Sequence, residues 1–456
     1  MSFYDIIILG GGVAGLYSAY QILKRSPKTH ILLIEKEKIL GGRIHSYHDK
    51  YMTVEAGAGR FHNKQLLLIN LLKELDLYDK KVPIPSSDSI FYDAESPIKT
   101  PIHQPNNDII SKILNKSKRT PIQVLQNMSF LDFADNVLKE EEIKRLKDSF
   151  GYYSELAIMN AHDSINLINR HLSPDHHFMI LGGGLTQIID ELEKRVREMG
   201  CVIMREKCAQ ELYLQNDVFH VHCLIPNNTI ASNASVSNIT INKNNKKNRK
   251  TKKFRKDYES IYIGTKVISA LPVKVLQNFR IFRDWKTDLK KVVCEPLCRI
   301  YSTFPLNEKG VAWFHDIPRF NTNNNLRMVI PINSKKGVIM TSYTDYKFAR
   351  FWKKKYNSTG IKGVEKELLR LLKESLGDNI DIPKPIKTNI FFWECGVGYW
   401  GVGVDSSRLS QNIIQPFGDD IDIFVCGEEF SEKNQQWIEG ALETSKHVVS
   451  RIVPKL

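Results

Sequence analysis

The stretch IIILGGGVAGLYSAYQILK, residues 6–24, decides the fold. In it an apolar run leads into a glycine turn, and an amphipathic pattern with the period of a helix follows. A second apolar run, HILLIE, occupies residues 30–35. Strands that are apolar throughout are typical of a parallel sheet buried on both faces. The sequence therefore predicts a βαβ unit over residues 4–35.

The glycine turn has the spacing Gly10-x-Gly12-x-x-Gly15. One glycine permits a tight turn, one lets the backbone approach a pyrophosphate, and one lets the helix pack against the strand. Glu35 ends the second strand 20 residues after Gly15, where a carboxylate accepts hydrogen bonds from an adenosine ribose. This context predicts a dinucleotide site. A glycine-rich connection with a surface glutamate is the alternative.

The composition is that of an ordinary globular protein. A chain of 456 residues exceeds what one hydrophobic core organises, so two or three domains are expected. No apolar segment is long enough to cross a bilayer. The seven cysteines are widely spread and include no CxxC pair, so the sequence supports neither a disulfide framework nor a zinc site. A reducing, intracellular compartment is expected.

The net charge of +14 is concentrated in one tract. Residues 243–256 hold nine Lys or Arg and no acidic residue. A like-charged tract that offers no apolar face predicts a solvated insertion. Binding of this tract to nucleic acid is the less favoured alternative.

Further motifs follow in order along the chain. They are GGR at 41–43, VEAGAGR at 54–60, the glycine cluster at 182–184, KVISALP at 266–272, and GE with WIEGA at 427–428 and 437–441. Motifs of this kind in this order resemble the flavin-containing amine oxidases, over residues 3–80, 178–275 and 390–456. The resemblance implies an α/β fold, in which a Rossmann-like FAD-binding domain built from discontinuous segments accompanies an α+β substrate domain.

The resemblance also implies where the two domains are divided. The FAD-binding domain would comprise residues 1–78, 179–278 and 392–456. The substrate domain would comprise residues 79–178, which read as mainly helical, and residues 279–391, which read as mainly sheet.

Carried over position by position, the resemblance implies a set of residues around non-covalently bound FAD, and no metal. Arg43 would lie near the pyrophosphate, Gly57 and Gly59 would let the chain pass the flavin ring, and Glu428 would hold the ribityl chain. Backbone N–H groups at the last helix would stabilise negative charge on the reduced flavin. The full set is Gly10, Gly12, Val13, Ala14, Gly15, Glu35, Lys36, Gly42, Arg43, Gly57, Ala58, Gly59, Arg60, Cys208, Gly427, Glu428, Trp437 and Ile438.

Aromatic side chains are expected to form the walls of the substrate site. In WECGVGYWGVG, residues 393–403, Trp393, Tyr399 and Trp400 resemble the segment that supplies one wall. Trp437 is the candidate for the other wall, with a packed core aromatic as its alternative. The four glycines of this stretch predict a tight passage along the cofactor rather than a plain strand. Covalent attachment of flavin to Cys395 is the less favoured expectation.

One position departs from the family pattern. Where the family commonly has a lysine linked through water to the flavin, the stretch PLCRIY at residues 296–301 has Arg299. Arginine stays protonated and cannot act as a base, but its fixed charge attracts a carboxylate. Arg299, Trp437, Tyr399 and Trp400 are therefore the catalytic candidates. A structural ion pair is the alternative for Arg299.

The resemblance implies oxidation of a C–N bond by hydride transfer to flavin, with oxygen as acceptor and hydrogen peroxide as product. The substrate would be a small amine or an amino-acid-like compound, acted on by a soluble intracellular enzyme, or a virion enzyme if a virus encodes it. An FAD-dependent desaturase or isomerase acting on C–C bonds is one alternative. A low-turnover flavoprotein with a structural or nucleic-acid-binding role is another.

Deletion of residues 243–256 is expected to leave folding and the visible flavin spectrum unchanged, because the tract offers no apolar face to a core. Thermal unfolding and absorbance spectra of the two proteins measure this. A large fall in Tm would count against a solvated insertion.

Overall fold

A computed structural model of the protein describes residues 3–85, 90–171, 175–225 and 260–453. The basic tract at residues 243–256, and the prediction made for it, lie outside these ranges.

The described residues form strands and helices that alternate along the chain. The strands are β1 Phe3–Leu9, β2 Ile31–Ile34, β3 Ser46–His48, β4 Thr53–Glu55, β5 Phe61–His62, β6 Lys81–Pro83, β7 Ile90–Tyr92, β8 Ile102–His103, β9 Phe178–Leu181, β10 Val202–Met204, β11 Cys208–Gln215, β12 Val218–Leu224, β13 Ser260–Ser269, β14 Val292–Thr303, β15 Phe320–Thr322, β16 Met328–Asn333, β17 Val338–Asp345, β18 Lys387–Trp400 and β19 Ile423–Val425. The helices are α1 Val13–Arg25, α2 Leu66–Glu74, α3 Asn107–Ser117, α4 Ile122–Gln126, α5 Phe130–Asp135, α6 Glu140–Ser149, α7 Tyr153–Ala157, α8 Ala161–His171, α9 Thr186–Glu198, α10 Val273–Leu276, α11 Lys286–Leu289, α12 Tyr346–Leu376, α13 Ser406–Ile414 and α14 Ile438–Ile452.

The first sheet contains the predicted βαβ unit. Its strand order is β10-β2-β1-β13-β12-β11, and β19 also pairs with β13. The pairs β1–β2, β2–β10, β1–β13 and β13–β19 are parallel. Residues of β2 are buried at every position, as a strand covered on both faces requires. The predicted α/β fold class with a Rossmann-like unit is confirmed.

Helices from three distant parts of the chain cover one face of this sheet. The helices α1, α9 and α14 share one apolar core with β1 and β2. The apolar residues of 438–452 recur with the period of a helix, and α14 has those bounds in the structure. Thus segments from the beginning, middle and end of the chain meet on one sheet.

The second sheet has the order β18-β14-β17-β16-β15-β7-β8. The helix α12 packs against it through residues such as Trp352 and Leu368, and the short helices α3 to α8 form a separate apolar cluster. The strand β18 begins at Lys387 and continues to Trp400, so it crosses the expected domain boundary between residues 391 and 392. The division into domains stays a prediction.

The pattern of apolar residues predicts two further local elements. Residues 211–223 are predicted as one strand, but they belong to the hairpin β11–β12, because Asn216 and Asp217 adopt positive φ angles of 53° and 60° and reverse the chain. Residues 364–376 are predicted as a helix, and they form the second half of α12, which is kinked at Gly360. The glycine-rich stretch from residue 393 continues as strand β18 through Trp400, with a register shift opposite Glu295 and Leu297, and its expected passage along the cofactor stays a prediction.

The cysteine expectation also needs correction. Cys294 and Cys395 are joined by a disulfide across β14 and β18, whereas no disulfide was expected. The two residues are 101 positions apart in sequence, so no spacing rule reveals the pair. The other five cysteines, all within the described ranges, are free thiols. Among the described helices, none is both long and apolar enough to cross a membrane.

Candidate functional site

The three glycines of the turn between β1 and α1 have different surroundings. The backbone requires glycine at Gly10 and Gly15, whereas a side chain at Gly12 would enter open space. Gly10 has a φ of +104°, and a Cβ on Gly15 would collide with the carbonyl oxygen of Gly10. Gly12 has an ordinary φ of −75°, and the nearest atom to a Cβ there would be the carbonyl oxygen of Gly41 at 3.9 Å. The space in front of Gly12 is therefore open, as a pyrophosphate at a helix N-terminus requires. Val13 and Ala14 form the buried first turn of this helix.

Glu35 lies beside the glycine turn, at the end of β2. Its carboxylate accepts hydrogen bonds from the backbone N–H groups of Gly11 at 2.7 Å and of Glu37 at 2.9 Å. Burial raises the pKa of Glu35. Lys36, the next predicted residue, forms an ion pair with Glu37 at 3.3 Å. The structure thus brings the glycine turn and the acidic residue together, and this set of groups fits the adenosine half of a dinucleotide.

Cys208 lies near the same strand end. The backbone N–H of Lys207 donates to the carbonyl oxygen of Glu35 at 3.0 Å, and Cys208 then begins β11. This position is close to the predicted adenosine site, although its role there stays a prediction.

Arg43 is held between two carboxylates from the end of the chain. Its Nη1 atom lies 2.5 Å from Oε1 of Glu428 and 3.1 Å from Oε1 of Glu429. Glu428 also accepts the backbone N–H groups of Gly398 at 3.2 Å and of Gln436 at 2.6 Å. Two predicted cofactor residues that are 385 positions apart therefore form one polar cluster. Gly42, with a φ of +57°, packs against Gly12 and connects this cluster to the turn.

The segment at residues 54–60 is held in place by hydrogen bonds to its own Glu55. The carboxylate of Glu55 accepts the backbone N–H of Leu185 at 2.8 Å and the hydroxyl of Ser46 at 2.9 Å. A Cβ on Gly57 would collide with the carbonyl oxygen of Arg43, and Ala58 donates its N–H to that same oxygen at 2.9 Å. Gly57 is thus required by a backbone contact, and its expected proximity to the flavin ring stays a prediction.

Arg299 faces this segment from β14. Its Nη1 atom donates to the carbonyl oxygen of Glu55 at 3.0 Å, and its Nη2 atom donates to the hydroxyl of Tyr343 at 3.2 Å. A Cβ on Gly59 would lie 2.9 Å from Nη1, so a side chain there would displace the guanidinium. Within the described residues, the structure records no ion pair between Arg299 and a carboxylate. The hydrogen-bond acceptors of Arg299 are thus neutral oxygen atoms, while burial raises the pKa of the nearby Glu55 carboxyl and the positive charge of Arg299 opposes this rise.

Arg60 continues this line of polar and aromatic groups. Its Nη2 atom lies 3.4 Å from the hydroxyl of Tyr152, and its guanidinium lies 4.3 Å from the centroid of Phe178. The rings of Tyr152 and Tyr343 meet edge to face at 5.6 Å. Two arginines are thus bridged by two tyrosines that sequence reasoning did not identify. No sequence motif marks these tyrosines, because Tyr152 is the residue before α7 and Tyr343 lies within β17.

Trp437 is the residue before α14 and is half-buried. Its ring stacks at 6.1 Å on Phe178, meets His62 edge to face at 5.0 Å, and lies 5.9 Å from the guanidinium of Arg60. Ile438 is buried at the start of the helix. The wall expected from Trp437 is compatible with this half-buried position and stays a prediction.

The neighbouring glutamate of the WIEGA motif has a structural task. The carboxylate of Glu439 accepts the backbone N–H groups of Leu67 and Leu68, both at 2.9 Å, at the start of α2. These are N–H groups that have no partner within their own helix. Gly427 is fixed similarly, because its N–H donates to the hydroxyl of Thr444 at 3.0 Å.

The aromatic residues of β18 have different surroundings. Trp393 donates its indole N–H to the carbonyl oxygen of Ala56 at 2.8 Å, so it lies against the 54–60 segment. Tyr399 is buried with Met159 and Leu167. Trp400 is fully buried and donates its indole N–H to Ser431 at 3.0 Å, which favours a packing role over the expected wall.

A buried acid, Glu155 on α7, was not identified from the sequence. This residue is only 2% exposed. Burial, and to a smaller extent the negative charge of Asp345, raise the pKa of Glu155 to about 8, although the positive charge of Arg60 acts in the opposite direction. Asp345 is itself buried and accepts the N–H groups of Tyr153 at 3.2 Å and Ser154 at 2.8 Å. Two buried carboxyl groups therefore lie next to the Arg60–Tyr152 contact.

Glu155→Gln is expected to make folding stability less dependent on pH. The pKa of Glu155 is about 8 in the folded protein and near 4.5 in the unfolded chain, so the folded state holds the extra proton between these values. Stability from this group is present at low pH and is lost as pH rises through that window. Urea unfolding at both ends of the window should show a smaller loss for the variant, by a few kcal/mol at most. Glu308→Gln, at an exposed site, is the matched control, and equal pH slopes in all three proteins would contradict the prediction.

A metal site is not favoured by the arrangement of side chains. Among the residues that the structure describes, the close group of possible metal ligands is Cys294, Cys395 and Glu429, and its two cysteines share a disulfide.

The chain is similar to known proteins over different parts of its length. The family described as an NAD(P)-binding Rossmann-like domain matches residues 8–75. An uncharacterized protein of Acanthamoeba polyphaga mimivirus is 22% identical over 98% of this chain and 93% of its own length. The flavin-containing amine oxidase A of horse, Equus caballus, is 29% identical, but only over 18% of this chain and 15% of its own length.

A solved structure extends the likeness to the whole fold. Cyclohexylamine oxidase from Brevibacterium oxydans superposes with a TM-score of 0.71 at 12% identity, covering 99% of this chain and 98% of that one. The resemblance expected from the motifs is confirmed: the chain is similar in fold to cyclohexylamine oxidase over nearly its whole length, it contains a Rossmann-like segment, and over a short stretch its sequence is similar to a flavin-containing amine oxidase.

Proposed function

We propose that the protein is an FAD-dependent oxidase that acts on the C–N bond of an amine carrying a carboxylate, as in an amino acid. One observation carries the proposal. The 54–60 segment connects the two groups of residues, because Ala58 donates its N–H to Arg43, near the dinucleotide turn, while Glu55 accepts from Arg299 through its carbonyl oxygen. We expect a cofactor bound at the turn to extend along this segment toward Arg60 and Arg299.

The residues present fit FAD. Gly12 offers open space at a helix N-terminus, Glu35 ends the strand beside it, and Glu428 offers a carboxylate that would accept a hydrogen bond from the ribityl chain. When bound, FAD would accept a hydride from the substrate carbon and pass the electrons to oxygen, giving hydrogen peroxide. The disulfide at Cys395 supports non-covalent binding, because a sulfur engaged with Cys294 is not free to attach flavin.

The protein's own groups would select and orient the substrate. Arg299 offers a permanent charge with fixed donors, a geometry that suits a carboxylate. Tyr343 and Tyr152 hold the arginines through hydroxyl contacts, so the positive groups are positioned before substrate arrives. Arg299 cannot remove a proton from a substrate ammonium group, so substrate must arrive as, or lose its proton to become, the free amine.

Anaerobic reduction of the bound flavin tests the proposal. We expect amino acids to bleach the flavin absorbance faster than simple alkylamines or polyamines, because the arginines repel protonated amines and attract carboxylates. A flavin-loaded protein that none of these compounds bleaches would contradict C–N oxidation.

The replacement of the family lysine by Arg299 favours one other reaction, desaturation or isomerisation at a C–C bond on the same fold. Bleaching of the flavin by a saturated carboxylic acid that contains no nitrogen would support that reaction.

The other alternative is a low-turnover flavoprotein that binds nucleic acid through residues 243–256. It predicts salt-sensitive retention of the protein on DNA. An intracellular location stays a prediction, and the likeness to a mimivirus protein keeps a place in a virion as its alternative.

A further inference from the structure

Cys294 and Cys395 lie side by side on paired strands. The strands β14 and β18 are antiparallel, and their register shifts between Glu295 and Leu297, next to the pair. The two Cα atoms are 5.2 Å apart, within the range that a disulfide spans. The sheet itself thus places the two sulfur atoms within bonding reach.

A close contact between the strands maintains this geometry. A Cβ on Gly396 would lie 2.5 Å from Cβ of Leu297, so the absence of a side chain at position 396 lets the strands approach. This contact is independent of the sulfur atoms. The two thiols of the reduced protein would therefore stay close together.

A buried carboxylate adjoins both sulfur atoms. Oε1 of Glu429 lies 3.3 Å from Sγ of Cys395 and 3.9 Å from Sγ of Cys294. The same oxygen lies 3.1 Å from Nη1 of Arg43, and Oε2 accepts the backbone N–H of Val273 at 2.8 Å. A thiol must lose its proton to become a nucleophile. Glu429 is a proton acceptor within reach of either thiol, and burial raises its pKa.

We propose that Cys294 and Cys395 are a redox-active pair that hydrogen peroxide converts from the dithiol to the disulfide. One thiolate attacks a peroxide oxygen, breaks the O–O bond and becomes a sulfenic acid, and the first water leaves. The second sulfur then attacks the sulfenic sulfur, the S–S bond forms, and a second water leaves. Glu429 relays each thiol proton to the departing oxygen, so two thiols and one peroxide give one disulfide and two waters.

A matched control lies on the same strand. Cys298 is four positions from Cys294 on β14 and is fully buried, but it is a free thiol. Burial raises the pKa of Cys298, which keeps it protonated and unreactive. The difference between Cys294 and Cys298 is therefore a partner sulfur and an adjacent carboxylate, not access to solvent.

The experiment uses the full-length protein, reduced with a phosphine, freed of reductant and exposed anaerobically to stoichiometric hydrogen peroxide. Intact mass should fall by two hydrogen atoms, and peptide mapping should show a link between residues 294 and 395. Cys298→Ser should behave in the same way. Cys395→Ser should form no link and should instead leave a sulfenic acid on Cys294 that dimedone traps.

Three outcomes would overturn the proposal. They are retention of both thiols after peroxide, a link that joins other cysteines, and uptake of oxygen atoms without a link in the unsubstituted protein. Because peroxide is supplied from outside, none of these results bears on amine oxidation. Conversely, a flavin that no amine bleaches leaves this test unaffected.

Discussion

Replacing Arg299 with Met is expected to lower the rate of substrate-driven flavin reduction by roughly a hundredfold, the usual effect of removing one charged group aimed at the reacting molecule. The guanidinium contacts Glu55 and Tyr343 through neutral groups only, so its loss leaves no buried carboxylate without a partner. Flavin content should therefore stay near that of the unsubstituted protein. Stopped-flow absorbance under anaerobic conditions measures the rate.

The variants of Arg299 also separate charge from geometry. Arg299→Lys keeps the positive charge but loses the planar fork, and a lysine can release its proton, so we expect broader activity toward simple amines. Arg350→Met is the control. Arg350 lies on α12, away from Arg299, and forms an ion pair with Glu295 of β14. Reduction rates that are unchanged in both Arg299 variants would show that the wrong strand has been assigned to the substrate side.

Gly12→Ala is expected to weaken FAD retention by at least about tenfold, or about 1.4 kcal/mol of binding free energy, without unfolding the protein. The φ of −75° at Gly12 suits alanine, and a Cβ there meets no atom closer than 3.9 Å. The new methyl group would instead occupy space that a pyrophosphate needs. Equilibrium dialysis of the apoprotein with FAD measures the affinity, and circular dichroism measures the fold.

Gly15→Ala is the matched comparison. Its Cβ would collide with the carbonyl oxygen of Gly10, so this variant should lower Tm as well as FAD affinity. Equal stability and equal FAD affinity for Gly12→Ala and the unsubstituted protein would contradict the assignment of Gly12 to the cofactor site.

The local sequence pattern was sufficient to predict the strands and the helix that form the dinucleotide turn. The apolar run, the three glycines and the carboxylate of Glu35 are close in sequence, and their spacing follows from the geometry of one βαβ unit. The bounds of α14 were also predictable, since its apolar residues recur with helical period.

Contacts between distant segments were not predictable in the same way. The bond from Glu439 to the start of α2 joins residues more than 370 positions apart, and Arg43 meets Glu428 across a similar distance. A glutamate in a motif looks the same whether it binds a cofactor or caps a helix. Only the fold distinguishes the two roles.

The glycines of β18 illustrate a further limit. They were interpreted as space for a cofactor, but a Cβ on Gly396 would meet Leu297 and one on Gly398 would meet Glu429. A glycine marks a close approach without naming what approaches. For the same reason the partner of Cys395 is invisible in the sequence.

Release of the cofactor tests the central claim most directly. The purified protein is expected to be yellow, and acid precipitation should release FAD, not FMN, into the supernatant, since the turn at Gly12 and the acidic strand end at Glu35 suit a cofactor with an adenosine half. Chromatography of the supernatant identifies the flavin. A colourless protein that takes up no flavin on incubation with FAD would contradict the claim.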